Sequence, residues 1–156
     1  MRDILFRGKR VDGQGWVQGL LTQYQGKLHI NKEIIENPTL SEPCGSWSYI
    51  DHIIIPETVG QYTGLKDKNG KMIFEGDIVK LDDNTDLDYS VGVASSDNIS
   101  HHEIYWDNER AMFWDKRIED GDSLAGYCDS DITFVVEGKV IGNIHDDNTR
   151  PYNDPT

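Results

Sequence analysis

The chain has 156 residues, 37% of them hydrophobic and including four Trp, seven Tyr and four Phe. It can therefore bury a core without metals or disulfides, which become necessary mainly below about 40 residues, and disorder throughout is excluded. The formal net charge of −13 is lopsided, with ten Lys/Arg and ten Asp/Glu in residues 1–80 but five and eighteen in residues 81–156.

A field of that sign repels nucleic acid phosphates, which need Lys and Arg to displace their counterions, and it attracts cations or basic proteins. Direct nucleic acid binding by the C-terminal half is accordingly disfavoured. Cys44 and Cys128 stand alone, without the paired spacing of a zinc knuckle or a secreted disulfide framework. Charges are scattered through the first ten residues, and no run approaches the ~18 apolar residues of a membrane span. The expected setting is the reducing cytoplasm of a host cell, with no membrane association.

In chain order, Ile4–Val11 reads as a strand, Asp12-Gly13-Gln14-Gly15 as a turn and Trp16–Thr22 as the partner strand. Gln25-Gly26 makes a second tight reversal into Lys27–Ile30, so the first third is an antiparallel meander. Residues 31–49, with Pro38, Pro43 and Gly45, lack a period and read as a loop with room for a short helical turn around Lys32–Glu36. The β-branched run Tyr49–Ile55 ends at Pro56, which cannot donate to a ladder.

Residues 58–81 carry the densest local signals. Asn69-Gly70 lies between two segments that can pair, and this dipeptide favours a type I′ hairpin turn because both central residues need φ > 0. A second turn at Glu75-Gly76-Asp77 then launches Ile78–Leu81 as a new strand. The run Gln61-Tyr-Thr-Gly-Leu-Lys-Asp-Lys-Asn-Gly-Lys-Met-Ile-Phe-Glu-Gly-Asp-Ile-Val79 resembles the signature of the YopX family, small proteins of phages and prophages of Gram-positive bacteria. Met1–Arg10 with Trp16, Val17 and Gly19 is similar to the family's opening, and Val140–His145 to its closing strand. The resemblance spans nearly the whole chain and implies a phage or prophage origin. It brings no established biochemical activity with it.

Beyond Leu81 the polar run 82–88 reads as a loop, and Tyr89–Ala94, Glu103–Trp106 and Arg110–Trp114 read as strands. Residues 115–131 read as an acidic loop, Ile132–Val136 and Lys139–His145 as a hairpin, and the residues from Asp146 onward as a flexible tail. Strands at roughly ten-residue intervals favour a mainly β fold: an N-terminal antiparallel meander over 1–60, then the central hairpin and a small SH3-like barrel over 61–145, with 146–156 as the tail.

Three constellations could carry chemistry. Asp82, Asp86 and Asp88 are spaced like the start of a calcium loop, but Leu87 stands where the sharp turn needs Gly and Val93 where a bidentate Glu belongs. His101 and Glu103 offer metal ligands, yet strand alternation sends the neighbouring His102 to the other face. Tyr62 with Lys66, Lys68, Lys71 and Lys80 gives the central hairpin a mildly basic, aromatic character suited to single-strand binding, although turn lysines also serve to discourage edge pairing. Asn69, Gly70, Gly76 and Asp77 read as structural turn residues, Asp77 capping backbone N–H groups rather than acting as an acid.

No nucleophile elbow, phosphate loop or dinucleotide fingerprint occurs, and no cofactor is expected. The leading expectation is a non-enzymatic phage accessory protein that works through protein contacts, as a homo-oligomer or on a basic host or phage protein, with DNA mimicry as one form of that contact. The alternatives are a nucleic-acid-binding small barrel on the lysines and a metal-assisted hydrolase on the acidic loop and His101–Glu103.

Overall fold

A computed structural model describes residues 3–35, 47–82, 99–118 and 132–146. The fold is mainly β, and the chain divides into two compact units, Met1–Tyr62 and Thr63–Thr156.

In the N-terminal unit, β1 (Phe6–Lys9), β2 (Trp16–Tyr24), β3 (Lys27–Ile35) and β4 (Trp47–Ile53) are joined antiparallel in the order β4-β3-β2-β1. The start of β5 (Gly60–Lys66) lies on the free side of β1, where Phe6 faces Gln61 and Arg7 faces Gly60. The β2–β3 reversal is a two-residue turn, in which Gln25 and Gly26 both take positive φ, 49° and 76°, and set Tyr24 opposite Lys27. The ends of β1 and β4 also meet: Val11 N–H donates to Ile53 O at 3.1 Å and Ile55 N–H to Lys9 O at 2.8 Å. The meander therefore curls back on itself and encloses Ile30 and Ile54. Gly8 and Gly19 are small because of that curl. A Cβ on Gly8 would stand 2.9 Å from the Ile54 side chain, and one on Gly19 would stand 2.3 Å from the Asn31 backbone oxygen.

Strand structure occupies both ends of the stretch expected to be a loop over 31–49. Residues 31–35 continue β3 and 47–49 already belong to β4, so no helical turn forms across Lys32–Ile35. The cross-strand ladder from His29↔Ile53 to Ile35↔Trp47 overrides the weak local preferences of a polar segment.

In the C-terminal unit β5 turns into β6 (Met72–Phe74), and β7 (Asp77–Asp82), β8 (Ile99–Asp107), β9 (Met112–Arg117) and β10 (Lys139–Asn143) form an antiparallel sheet in the order β10-β7-β8-β9. Ile73, Val79, Ile104, Phe113, Ile132, Val135 and Val140 make its core. Among the described residues this sheet is open, so the strands close no SH3-like barrel. The β8–β9 turn occupies residues 108–111, which moves the start of β9 from the expected Arg110 to Met112, and Ala111 takes φ 51° to complete the turn. Residues 115–117 extend β9 into what reads as acidic loop, because Asp115 and Lys116 pair opposite Ile104 and Glu103.

A short 3-10 helix, η1, spans Pro56–Thr58 ahead of β5, and Ile132–Glu137 is a second 3-10 helix, η2, where the sequence predicts a strand. Its buried residues Ile132 and Val135 are three apart, the repeat of a 3-10 turn. β10 pairs with β7 instead, and the register slips between Val140 and Gly142, leaving Ile141 as an extra, outward residue. The expected strand Tyr89–Ala94, Cys44, Cys128, residues 119–131 and the tail beyond residue 146 lie outside the described residues. Among the described residues, no helix is long and apolar enough to cross a membrane.

Candidate functional site

The carboxylates of the central run are built into its turns. Asp67 is buried, and its Oδ1 accepts the N–H of Asn69 at 2.8 Å and of Lys71 at 2.9 Å. Its Oδ2 accepts the N–H of Val140 at 3.0 Å, which joins the hairpin to β10. Burial raises the pKa of this carboxyl, but the three N–H donors outweigh it and hold the group below its ordinary 3.8. The same side chain changes the turn. Gly70 N–H donates to Asp67 O and only Gly70 has positive φ, so the connection is a three-residue loop with Gly in the left-handed position. The type I′ turn expected at Asn69-Gly70 does not form, since among described non-glycine residues only Gln25 and Ala111 have φ > 0.

Asp77 is fully buried. Its Oδ2 accepts Phe74 N–H at 2.9 Å and its Oδ1 accepts Asn143 Nδ2 at 3.3 Å. Gly76 has φ 78°, a conformation that favours glycine, and hydrogen-bonds to Ile104 O and from Ile144 N–H. Asp107 plays the corresponding part at the β8–β9 turn. Its Oδ1 takes the N–H of Glu109 and Arg110, and the Arg110 guanidinium at 2.6 Å from Oδ2 holds its carboxyl below the usual range. Arg110 in turn lies 5.0 Å from the centre of the Trp114 ring.

The buried side of β8 holds a polar line that the residue spacing alone did not reveal. Ser100 and His102 are two apart on the strand and share a face, and Asp115 on β9 lies diagonal to His102, opposite Ile104. The Ser100 Oγ is 3.0 Å from His102 Nε2, and His102 Nδ1 is 2.7 Å from Asp115 Oδ2. Phe134 meets the imidazole edge-on at 5.3 Å. Asp115 Oδ1 is buried and makes no hydrogen bond. A Ser-x-His pair on an alternating strand is the signal that could have flagged two members of the line. The third comes from strand pairing and has no local mark.

The N-terminal unit presents a different surface. Residues 16, 18, 20, 22 and 24 of β2 share its outward face, and Leu20 and Tyr24 there are 56% and 65% exposed. The Arg7 guanidinium lies 4.6 Å from the centre of the Trp16 ring and Lys9 Nζ 5.6 Å, so both cations stack on that indole. Toward the other end of β2, Thr22 accepts a 2.9 Å hydrogen bond from Asn31, and His29 pairs with Asp51 at 2.7 Å.

Asp86 and Asp88 lie outside the described residues, as does the side chain of Asp82 at the end of β7. His101 and Glu103 share one face of β8, with Glu103 opposite Lys116, while His102 points to the other face. Among the described residues no group of three or more His, Cys, Asp or Glu is placed to hold a metal ion. Tyr62 is buried, so its ring is no stacking platform, and Lys66, Lys68 and Lys71 are exposed around the hairpin tip. Lys80 is separated from them on β7, opposite Lys139 and His101.

These features define a two-unit antiparallel β protein whose acidic turn residues are structural. The chain belongs to the YopX protein family, whose model matches residues 5–150. It is also similar to the crystal structure of protein EF1440 from Enterococcus faecalis, at 24% identity and a TM-score of 0.45 over 93% of this chain and 95% of that one. No curated protein matches the sequence.

Proposed function

We propose that this YopX-family protein is a phage or prophage accessory protein of the host cytoplasm that works by binding another protein through the outward face of its N-terminal sheet. One observation carries the reading: Leu20 and Tyr24 stand more than half exposed at alternating positions of β2, on the face that holds the Arg7–Trp16–Lys9 stack. Solvent-facing strand positions are ordinarily polar, and Trp, Tyr and Arg are the residue types that dominate protein-binding hot spots. The acidic excess of residues 81–156 adds long-range attraction for a basic partner, which raises the association rate more than the final affinity.

The test is a comparison of wild type with Leu20→Ser/Tyr24→Ser in cross-linking and size-exclusion measurements, made on the purified protein and on the protein in extracts of the host. The double variant is expected to melt within about 2 °C of wild type, since both side chains are exposed, and to lose a complex that wild type forms. A complex that survives the double substitution removes this face as the contact surface.

A further inference from the structure

The Ser100–His102–Asp115 line is set apart from the other buried carboxylates by its hydrogen bonding. Asp67 and Asp77 each spend both carboxylate oxygens on hydrogen bonds that tie the fold together. Asp115 accepts no backbone N–H: one oxygen faces His102 and the other is buried without a hydrogen-bond partner. A carboxylate accepts hydrogen bonds, so the network assigns Nδ1 as the donor to Asp115 Oδ2, which leaves Nε2 to accept the Ser100 hydroxyl proton. The result is a hydroxyl within reach of a base that a third group orients, which is the arrangement that activates nucleophiles on unrelated folds. Val79 and Leu81 lie opposite His102 and Ser100 on β7, and Phe134 covers the ring, so the line is in apolar surroundings that strengthen its electrostatics. Ser100 is the second residue of β8, beside the exposed Ile99 at the sheet's end.

We propose that Ser100 is a base-activated nucleophile that accepts an acyl group from a small activated ester, with His102 as its base and Asp115 as the positioning residue. The Ser100 Oγ forms a bond to the acyl carbon as the carbon–oxygen bond to the leaving group breaks. The proton of Oγ passes to Nε2 and from there to the leaving oxygen. Water then repeats the step in reverse, giving its proton to Nε2, releasing the acid and restoring the hydroxyl. Ser100 is only 3% exposed, so the acyl donor has to be compact.

The experiment is intact-mass spectrometry of the full chain treated separately with phenylmethylsulfonyl fluoride and with p-nitrophenyl acetate, followed by peptide mapping. The expected result is one adduct per chain on Ser100, absent from Ser100→Ala. Labelling should fall about 100-fold or more in Asp115→Asn, with a changed pH–rate profile, because the ring loses the group that sets its tautomer. Thermal melts establish that each variant is folded. Folded wild type that takes up no adduct, or takes it up equally as Ser100→Ala, overturns the proposal without requiring any other variant to fold. Unchanged labelling of folded Asp115→Asn overturns the role of Asp115.

Discussion

Asp67 shows how one side chain can set both a turn and a tertiary contact. Its two oxygens satisfy three buried N–H groups, two inside the hairpin and one on β10, 73 residues away in sequence. An unsatisfied buried donor costs about 1–3 kcal/mol, so Asp67→Ala should destabilise the protein by roughly 3 kcal/mol or more in urea denaturation at neutral pH. The acid dependence follows from the direction of its pKa. Because the folded value is held below the ordinary 3.8, the carboxylate's contribution is fully present above that value and is lost as pH falls through the folded pKa. Wild type should therefore lose stability below about pH 4, and Asp67→Asn should lose part of that dependence. Asp was legible in the sequence as a turn residue, but the third donor was not, since nothing local to Asp67 marks Val140 as its neighbour.

At the scale of elements, the strands with alternating side chains and Gly-containing turns were readable: β1, β2, the start of β3, β7 and the Glu103–Trp106 part of β8 follow from local pattern, whereas Ile99–His102 reads as polar loop and joins β8 only through its pairing with β7. The failures have particular causes. Ile132–Val136 is β-branched and apolar, which favours a strand, yet it forms η2 because Ile132 and Val135 fill the core from a 3-10 turn and β7 takes β10 as its partner. Gly138 makes that exchange possible. A Cβ there would lie 2.5 Å from Val79 Cγ1 and 2.9 Å from the Lys80 backbone oxygen, so η2 could not end against β7. Gly138→Ala is expected to cost about 1–3 kcal/mol, the range for overpacking a filled core, read as a lower urea midpoint at unchanged slope. Asn69-Gly70 failed in a subtler way, because the Asp67 carboxylate takes the N–H of Asn69 and favours the three-residue loop.

For the whole molecule, net charge is the dominant long-range quantity. A charge of −13 on 156 residues opposes compaction through self-repulsion, and salt screens it, with a Debye length that falls from about 30 Å at 0.01 M to about 8 Å at 0.15 M. The melting temperature should rise as NaCl is raised over that interval, and a flat or falling curve would show that local pairs such as Asp107–Arg110 outweigh the global field. The charged excess belongs to the second half of the sequence, whereas among the described residues the strand positions with the most exposed apolar side chains, Leu20 and Tyr24, lie in the first unit. Charge arithmetic alone therefore directs attention away from Leu20 and Tyr24.

The sequence by itself determined the family, the mainly β class and most strand positions, because period-two patterning and glycine turns are local properties of a chain. Only the tertiary structure decided the three-donor seat of Asp67, the η2-for-strand exchange and the alignment of Ser100 with His102 and Asp115. Each depends on which strands become neighbours, and register is a collective outcome of the whole sheet that no short stretch encodes. The central hairpin illustrates both halves: its turn residues identify it in sequence, and a hydrogen bond to β10 gives it its final geometry.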